Sequence, residues 1–321
     1  RLQPAATMES VPLGAPRTIR AQGPVEMREL VSLLQEAGAA AMLRPTQGEH
    51  GTMFVLGRRT TQDDAVPSII VASEHYNMIV RMLQAGVNPT VRIDLRTQYH
   101  EDDTNGYNVL AEIPGTDPEL RDELVLIGAH LDSWHSSPGG TDNADGSAST
   151  MEAMRILQSI GVRPRRTIRM ALWGGEEEGL LGARAWVDRY LAGEDNREAH
   201  KKFSVYFNND PGYGKIYGFH AEENEAAKAI MDLWLAPLED IGVLRNVIEG
   251  VGSTDHVPFV RIGVPGFNAI QEYADYDVRT HHTNMDFYER VTEADLEQAA
   301  IVLATFAYQS AMRDERMPRG R

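Results

Sequence analysis

Short apolar runs alternate with helical patterns along the chain from residue 106 onward. The runs are NVLAEI, LVLIGAH, TIRMALW and FSVYFNND, and their lengths are typical of strands. Between and after them, apolar residues recur at helical spacing in three groups: Met151, Met154 and Leu157; Ala226, Ile230, Leu233 and Trp234; and Leu296, Ala299, Ala300, Leu303 and Ala307. Strands that alternate with helices predict an α/β domain with a mostly parallel central sheet flanked by helices.

The first hundred residues have a different pattern. Helical spacing predicts one helix over residues 27–37, and short apolar runs at residues 39–43 and 67–73 indicate strand-like pieces around it. Alternating apolar positions predict a further half-buried strand, at Val91, Ile93 and Leu95. No side chain in this part of the sequence indicates catalysis.

A polar stretch separates the two patterns. The sequence YHEDDTNG, at residues 99–106, has no apolar periodicity and ends in Asn-Gly, which favours a turn. We therefore expect two domains, an N-terminal one at residues 1–105 and a second one at residues 106–321.

Composition and charge exclude several classes of protein. The formal net charge of −16 would repel a phosphate backbone, so nucleic acid is not an expected partner. The chain contains no cysteine, so any metal must be held by His, Asp or Glu. No apolar run approaches the ~18 residues of a membrane span, so none is expected. The first ten residues, RLQPAATMES, lack the apolar core of a signal peptide and are consistent with a mature or truncated end.

Metal-capable side chains follow the strand LVLIGAH. Residues two apart on a strand point to the same side, so we expect His130 and Asp132 to face one pocket, with the Asp132 carboxylate accepting the proton on the far ring nitrogen of His130. Asp142 follows in GGTDNADGS, where glycines allow the backbone to turn back toward the strand end. A carboxylate in that position could bridge two metals.

Further acids and histidines follow the later strands. Adjacent side chains diverge in WGGEEEG, so Glu176 and Glu177 can have different roles, one as a ligand and one as a proton carrier. Asp210 ends the next strand, and THHTNMD offers His281 and His282 before the last helix. A single such motif is usually a solvated surface feature, but in open sheets the carboxyl ends of the strands meet at one edge. The set therefore predicts a site of His and carboxylate ligands, which suits zinc.

Six segments resemble the signature set of the di-zinc exopeptidases of metallopeptidase family 28. They are HLDSW, GTDNADG, WGGEEEGLLGA, NND, STDHVPF and HHTNMD, and the resemblance runs from about residue 107 to the C-terminus. It implies the zinc exopeptidase fold and two Zn²⁺ per chain. The implied ligands are, for one zinc, His130, Asp142 and Asp210, and for the other, Asp142, Glu177 and His282.

The resemblance also implies roles for residues around the metals. Glu176 matches the general base, which takes a proton from the metal-bridging water and later delivers it to the leaving amine. Asp132 matches the residue that orients the first histidine. His281 is expected either to hydrogen-bond a tetrahedral oxyanion or to make a structural hydrogen bond. Supporting roles are expected for Asp255 and His256.

The resulting expectation is a zinc-dependent exopeptidase of carboxypeptidase or dipeptidase type that hydrolyses small peptides. An aminopeptidase with the same di-zinc site is one alternative, and a catalytically inactive binding domain similar to the transferrin receptor is another. The resemblance implies a secreted or periplasmic protein. Residues 1–105 resemble part of a protease-associated domain. The oligomeric state stays open, with a homodimer as one alternative.

Overall fold

The computed structural model describes residues 27–46, 48, 50–56, 66–98 and 100–320. The expectation about a signal peptide, which concerns residues 1–10, lies outside these residues. The α-helices are α1 (Met27–Glu36), α2 (Ser73–Gln84), α3 (Asp145–Ser159), α4 (Leu181–Tyr190), α5 (Arg197–Lys202), α6 (Glu225–Asp232), α7 (Val257–Arg261) and α8 (Glu293–Met312). The strands are β1 (Met42–Pro45), β2 (Ser68–Val71), β3 (Val109–Ile113), β4 (Leu124–His130), β5 (Thr167–Trp173), β6 (Phe203–Asn208), β7 (Tyr213–His220) and β8 (Gly266–Glu272).

The central sheet has six strands in the order β3-β5-β4-β6-β8-β7. Its four inner strands run parallel to one another, and β3 and β7 pair antiparallel at the two edges. Strands β1 and β2 form a separate parallel pair. The predicted α/β fold with a mostly parallel sheet flanked by helices is therefore confirmed. The division between residues 105 and 106 into two domains stays a prediction.

Strand β4 is apolar along its length because both faces of the sheet are covered. Val125 and Ile127 belong to a core with side chains of α3 and α8, whereas Leu126 belongs to a second core with Trp186 of α4 and Phe259 of α7. All three β4 side chains are fully buried. A strand covered on both faces reads as a continuous apolar run, and each such side chain contributes about 1.5–3 kcal/mol of burial free energy. The strand end, where the polar residues begin, is thereby fixed in place.

Two strands were absent from the sequence expectation. Strand β7 contains Gly214 and Gly218, and glycine is depleted in strands. Strand β8 carries a buried amide at Asn268, whose Oδ1 accepts a hydrogen bond at 2.8 Å from the Nδ2 of Asn208 in β6. This side-chain pairing makes a polar residue tolerable inside the sheet, although local apolar patterning gives no sign of it.

The predicted strand near residue 93 is wrong. The structure assigns no strand to residues 87–98, and the three apolar side chains of the predicted strand are about half exposed: Val91 at 49%, Ile93 at 43% and Leu95 at 58%. Alternation predicts a strand only where a partner supplies backbone hydrogen bonds and a surface to cover the apolar face. Among the described residues, none pairs with this segment.

Two predicted helix faces need correction. In α3, Met154 and Leu157 are buried as expected, but Met151 is 52% exposed. Positions six residues apart lie about 120° apart around an α-helix, too far to share a narrow face. In the group around α6, Leu233 is 76% exposed and Ala226 is exposed as well, because the helix buries the neighbouring face of Ala227 and Met231.

Candidate metal centre

His130 is the last residue of β4, and its imidazole lies in the interior. The residue is 1% exposed, and its Nε2 lies 3.1 Å from Oδ1 of Asp142 and 3.7 Å from Oδ1 of Asp210. The other ring nitrogen, Nδ1, lies 2.9 Å from the backbone carbonyl oxygen of Asp132. A carbonyl can only accept, so Nδ1 carries the proton and Nε2 is the nitrogen that faces the two carboxylates. One potential ligand atom from each of His130, Asp142 and Asp210 lies within 4.8 Å of the others.

Asp142 stands between two histidines that come from distant parts of the chain. Its Oδ1 faces His130, and its Oδ2 lies 3.4 Å from Nε2 of His282. The turn before it requires glycine, because a Cβ on Gly139, where φ is +73°, would lie 2.4 Å from the Cβ of Ser133. Asp142 is 4% exposed, and its Oδ2 has no hydrogen-bond partner among the described residues. Such an orphaned buried oxygen fits a cation-binding role.

Asp286 holds the turn that carries Asp142. Its Oδ1 accepts hydrogen bonds from the backbone N–H and the hydroxyl of Thr141, at 2.7 Å and 2.9 Å, and its Oδ2 accepts one from the backbone N–H of Asp142, at 3.0 Å. Asp286 is 2% exposed. Asp286 is the last residue of the segment HHTNMD, and the sequence pattern indicated no role for it. The signal available in the sequence was an acid four residues after a candidate ligand.

Asp132 contacts a different group from the one that the sequence predicted. Its carboxylate lies 3.8 Å from Nδ1 of His130, and the backbone carbonyl of Asp132 takes the hydrogen bond from that ring instead. The two carboxylate oxygens accept hydrogen bonds from the backbone N–H groups of Glu176 and Glu177, each at 3.1 Å. The carboxylate points elsewhere because Asp132 lies beyond the end of β4, where the alternation of a strand no longer applies. Its carboxylate therefore fixes the turn that carries both glutamates.

The second cluster forms around His282. Its Nε2 lies 3.0 Å from Oε2 of Glu177, whose Oε1 has no hydrogen-bond partner among the described residues. His281, Asp142 and His282 each offer a ligand atom within 4.8 Å of the others. The structure thus brings Glu177 to His282, as expected, and places His281 as a further potential donor at the same cluster.

Burial and mutual repulsion raise the pKa of each of the two glutamates in this pocket. Burial first, and then the neighbouring acids, raise the pKa of Glu176 to about 10 and that of Glu177 to about 9. Burial would raise the pKa of Asp142 as well, but the hydrogen bond and charge of His130 outweigh it and lower that pKa to about 2. For His130, burial acts to lower the pKa, yet hydrogen bonds to Asp142 and Asp210 raise it well above its usual value. This concentration of buried acids is the environment that divalent cations stabilise, so the residues fit a metal centre.

Asp255 and His256 lie beside the cluster without joining it. Asp255 is fully buried, and neither of its carboxylate oxygens has a hydrogen-bond partner among the described residues. Burial raises the pKa of Asp255 well above its usual value, and the charges of Asp210 and Asp132 add to this. His256 turns away, with Nε2 at 3.0 Å from Oε1 of Glu222. The supporting roles of Asp255 and His256 stay predictions.

Comparisons with known proteins identify the family of the chain and agree with its fold. The family model of Peptidase family M28 matches residues 108–307, and the chain belongs to that family. The chain is 27% identical over 305 residues to carboxypeptidase Q from Homo sapiens, an alignment that covers 94% of this chain and 60% of that protein. The chain thus spans about three fifths of this curated relative.

Two solved structures have a similar fold. A Peptidase M28 precursor from Shewanella amazonensis SB2B superposes with a TM-score of 0.72 and 25% identity, covering 89% of this chain and 63% of that one. A zinc aminopeptidase from Bacillus subtilis superposes with a TM-score of 0.59 and 21% identity, covering 91% and 69%. Within the described part of the chain, no helix is long and apolar enough to cross a membrane.

Proposed function

We propose that this chain is a zinc-dependent exopeptidase that hydrolyses peptide bonds of small peptides. The observation that carries the proposal is the position of Asp142, whose two carboxylate oxygens face the Nε2 atoms of two different histidines, His130 and His282. A carboxylate in this geometry can bridge two cations. Membership of a peptidase family supplies the reaction class.

The proposed ligands of two zinc ions form two sets that share Asp142. His130, Asp142 and Asp210 would hold one ion, and Asp142, Glu177 and His282 would hold the other. All are His or carboxylate donors, the types that bind zinc where cysteine is absent. When bound, the ions would polarise the scissile carbonyl and lower the pKa of a water toward ~7.

Glu176 is the proposed proton carrier. It is 8% exposed and adjoins the proposed ligand Glu177. Cations beside it would lower the raised pKa of its carboxyl toward the working pH, so that it can take a proton from water and deliver it to the leaving amine. Asp132 positions this group, because its carboxylate accepts hydrogen bonds from the backbone N–H groups of Glu176 and Glu177.

The number of metal ions is tested by metal analysis of purified protein. We expect two zinc ions per chain after dialysis against a zinc buffer. Asp210→Ala should weaken the binding of only one of the two ions, because Asp210 belongs to only one of the proposed ligand sets. Saturation at one ion in the unsubstituted protein would contradict the bridging role of Asp142.

The kind of peptide bond is tested with a panel of dipeptides and longer peptides that are free or blocked at each end. Exopeptidase action needs pocket walls and a group that recognises a free terminus. We expect cleavage of free dipeptides and none of peptides blocked at both ends. Blocking one end at a time separates a carboxypeptidase from an aminopeptidase, and a need for both free ends identifies a dipeptidase. Efficient internal cleavage of a doubly blocked peptide would overturn the exopeptidase assignment.

An inactive binding domain is the alternative of a different class. Such a domain would be expected to have lost ligands or the base, whereas all five proposed ligands and Glu176 are present here. Hydrolysis of any peptide in the panel rules it out. The secreted or periplasmic location that accompanies the proposal rests on the family resemblance.

A further inference from the structure

A short segment from the N-terminal part of the chain contacts the loop that carries the two histidines. Phe54 and Thr283 form an isolated antiparallel bridge. The backbone N–H of Val55 donates to the carbonyl of His282 at 2.8 Å. Met53 and Asn284 extend the pairing, because the N–H of Met53 donates to the Asn284 side chain at 2.7 Å. Residues 53–55 are thus joined by hydrogen bonds to residues 282–284.

The ring of Phe54 packs against both histidines. Its centroid lies 5.4 Å from that of His282, with the rings tilted by 32°, and 5.8 Å from that of His281, in an edge-on arrangement at 70°. Tyr276 stacks on His281 at 4.8 Å and 23°. Trp134 meets His282 edge-on at 6.0 Å. Aromatic contacts in this range restrict ring orientation, so the direction in which each imidazole points depends on these neighbours.

His282 has a backbone conformation that needs support. Its φ is +56°, in the left-handed region that residues other than glycine rarely adopt. A residue remains in this region only when its surroundings hold it there. The hydrogen bond from the N–H of Val55 to the carbonyl of His282 is one such restraint.

Thr46, the residue directly after β1, holds the contacting segment in turn. The hydroxyl of Thr46 accepts a hydrogen bond from the backbone N–H of Phe54 at 2.8 Å. The backbone of Thr46 is fixed in turn, since its N–H donates to the carbonyl of Val71 at 3.0 Å and its carbonyl accepts from the hydroxyl of Ser73 at 2.9 Å. Thr46 is 7% exposed. Phe54 is therefore a restrained side chain at a defined distance from the histidines.

We propose that Phe54 is a positioning residue of the metal centre, which together with the N–H of Val55 holds the His281–His282 loop so that His282 faces Asp142 and Glu177. The proposal rests on the proposed zinc site. It adds that the N-terminal part of the chain completes that site through the shape of the His282 loop. Phe54 offers no metal ligand, so its effect acts through His281 and His282.

The test compares Phe54→Ala with Leu56→Ala. Leu56 lies in the same segment and is 54% exposed, so its replacement controls for a general change in the segment. Zinc affinity is measured by competition with a chromophoric chelator, and the geometry of the site by the absorption spectrum of the Co²⁺-substituted protein. We expect Phe54→Ala to lower the affinity for one of the two zinc ions by ~10–100-fold, the range typical of residues that orient metal ligands. The affinity of Phe54→Ala for the other zinc ion should not change. Leu56→Ala should bind both zinc ions as tightly as the unsubstituted protein.

Two further variants separate positioning from folding. Phe54→Tyr keeps the ring and should retain the zinc affinity and the Co²⁺ spectrum of the unsubstituted protein. Phe54→Leu keeps apolar volume without the ring, and it replaces Phe54→Ala if the metal-free alanine variant unfolds at a markedly lower temperature. Two zinc ions bound as tightly in Phe54→Ala or Phe54→Leu as in the unsubstituted protein would overturn this inference alone. Absence of zinc binding in the unsubstituted protein would instead overturn the proposed function.

Discussion

The carboxylate of Asp286 accepts a hydrogen bond from the backbone N–H of Asp142, with 3.0 Å between Oδ2 and N. The two residues lie on loops 144 positions apart in the sequence. One of these loops carries the proposed bridging ligand, and the other carries His282. This contact therefore couples the position of Asp142 to the loop of a proposed ligand of the second zinc.

Removal of the Asp286 carboxylate should weaken metal binding. Asp286→Ala leaves buried donors of Thr141 and Asp142 unsatisfied, at a cost of about 1–3 kcal/mol for each, and we expect ~10–100-fold weaker zinc binding. Asp286→Asn keeps one acceptor oxygen and should lose less. Chelator competition measures both variants, with Glu289→Ala, an exposed residue of the next turn, as the control. Equal zinc affinity in Asp286→Ala and the control would contradict this role.

Substitutions of the two adjacent glutamates should have different effects on metal content. Glu176→Gln removes the proposed proton carrier without removing a ligand, so the protein should keep its zinc while peptide hydrolysis falls by ~100–10,000-fold. Glu177→Ala should lose both activity and the zinc ion that is shared with His282. Metal content after dialysis and the rate of dipeptide hydrolysis measure the two effects. If both variants retained the same amount of metal, the assigned roles would be wrong.

Asp132 should affect catalysis through the turn that carries Glu176 and Glu177, whose backbone N–H groups donate to its carboxylate. In Asp132→Asn an amide nitrogen replaces one acceptor, so one of the two backbone N–H groups, of Glu176 or Glu177, loses its partner. Loss of a hydrogen bond to a charged group costs about 1.5–3 kcal/mol, and we expect a lower kcat with the histidine ligands still in place. Asp195→Asn, in an exposed turn, is the control. A kcat unchanged in Asp132→Asn would count against the positioning role.

The metal-free protein should lose stability as the pH rises. Burial raises the pKa of Glu176 to about 10 and that of Glu177 to about 9, whereas both would titrate near 4.5 in the unfolded chain. The folded state therefore binds more protons than the unfolded state between pH ~5 and ~9, and the free energy of unfolding falls across this window. The raised pKa of His130 acts in the same direction above its unfolded value of 6.5.

Urea unfolding of the chelator-treated protein at several pH values measures this slope. Glu176→Gln removes one of the titrating groups and should flatten the slope, whereas Glu194→Gln, whose carboxyl is exposed, should leave it unchanged. An increase in stability from pH 5 to pH 9 would show that the glutamates are not held in their protonated form.

The sequence predicted strands β3 to β6 and proposed a set of ligands, but it did not indicate the contacts around them. Strand β4 could be predicted because burial on both faces leaves a continuous apolar run. The hydrogen bonds that Asp132 accepts from the backbone of Glu176 and Glu177 could not be predicted, because they depend on where the chain turns after the strand ends. The contact between Phe54 and His282 joins residues far apart in the sequence, and no local periodicity records it. Strand β8 was missed because its buried Asn268 is satisfied by Asn208, a partner that only the fold provides.

The spacing of the proposed ligands along the chain has a consequence for folding kinetics. They extend from residue 130 to residue 282, at the ends of four different strands of one sheet or on the loops that follow them. Contacts between such distant residues form slowly, because long loops must close before the contacts are made. A refolding fragment or an early intermediate can hold at most part of the ligand set. Tight zinc uptake during refolding should therefore follow sheet assembly, and its rate would report the completion of the native topology.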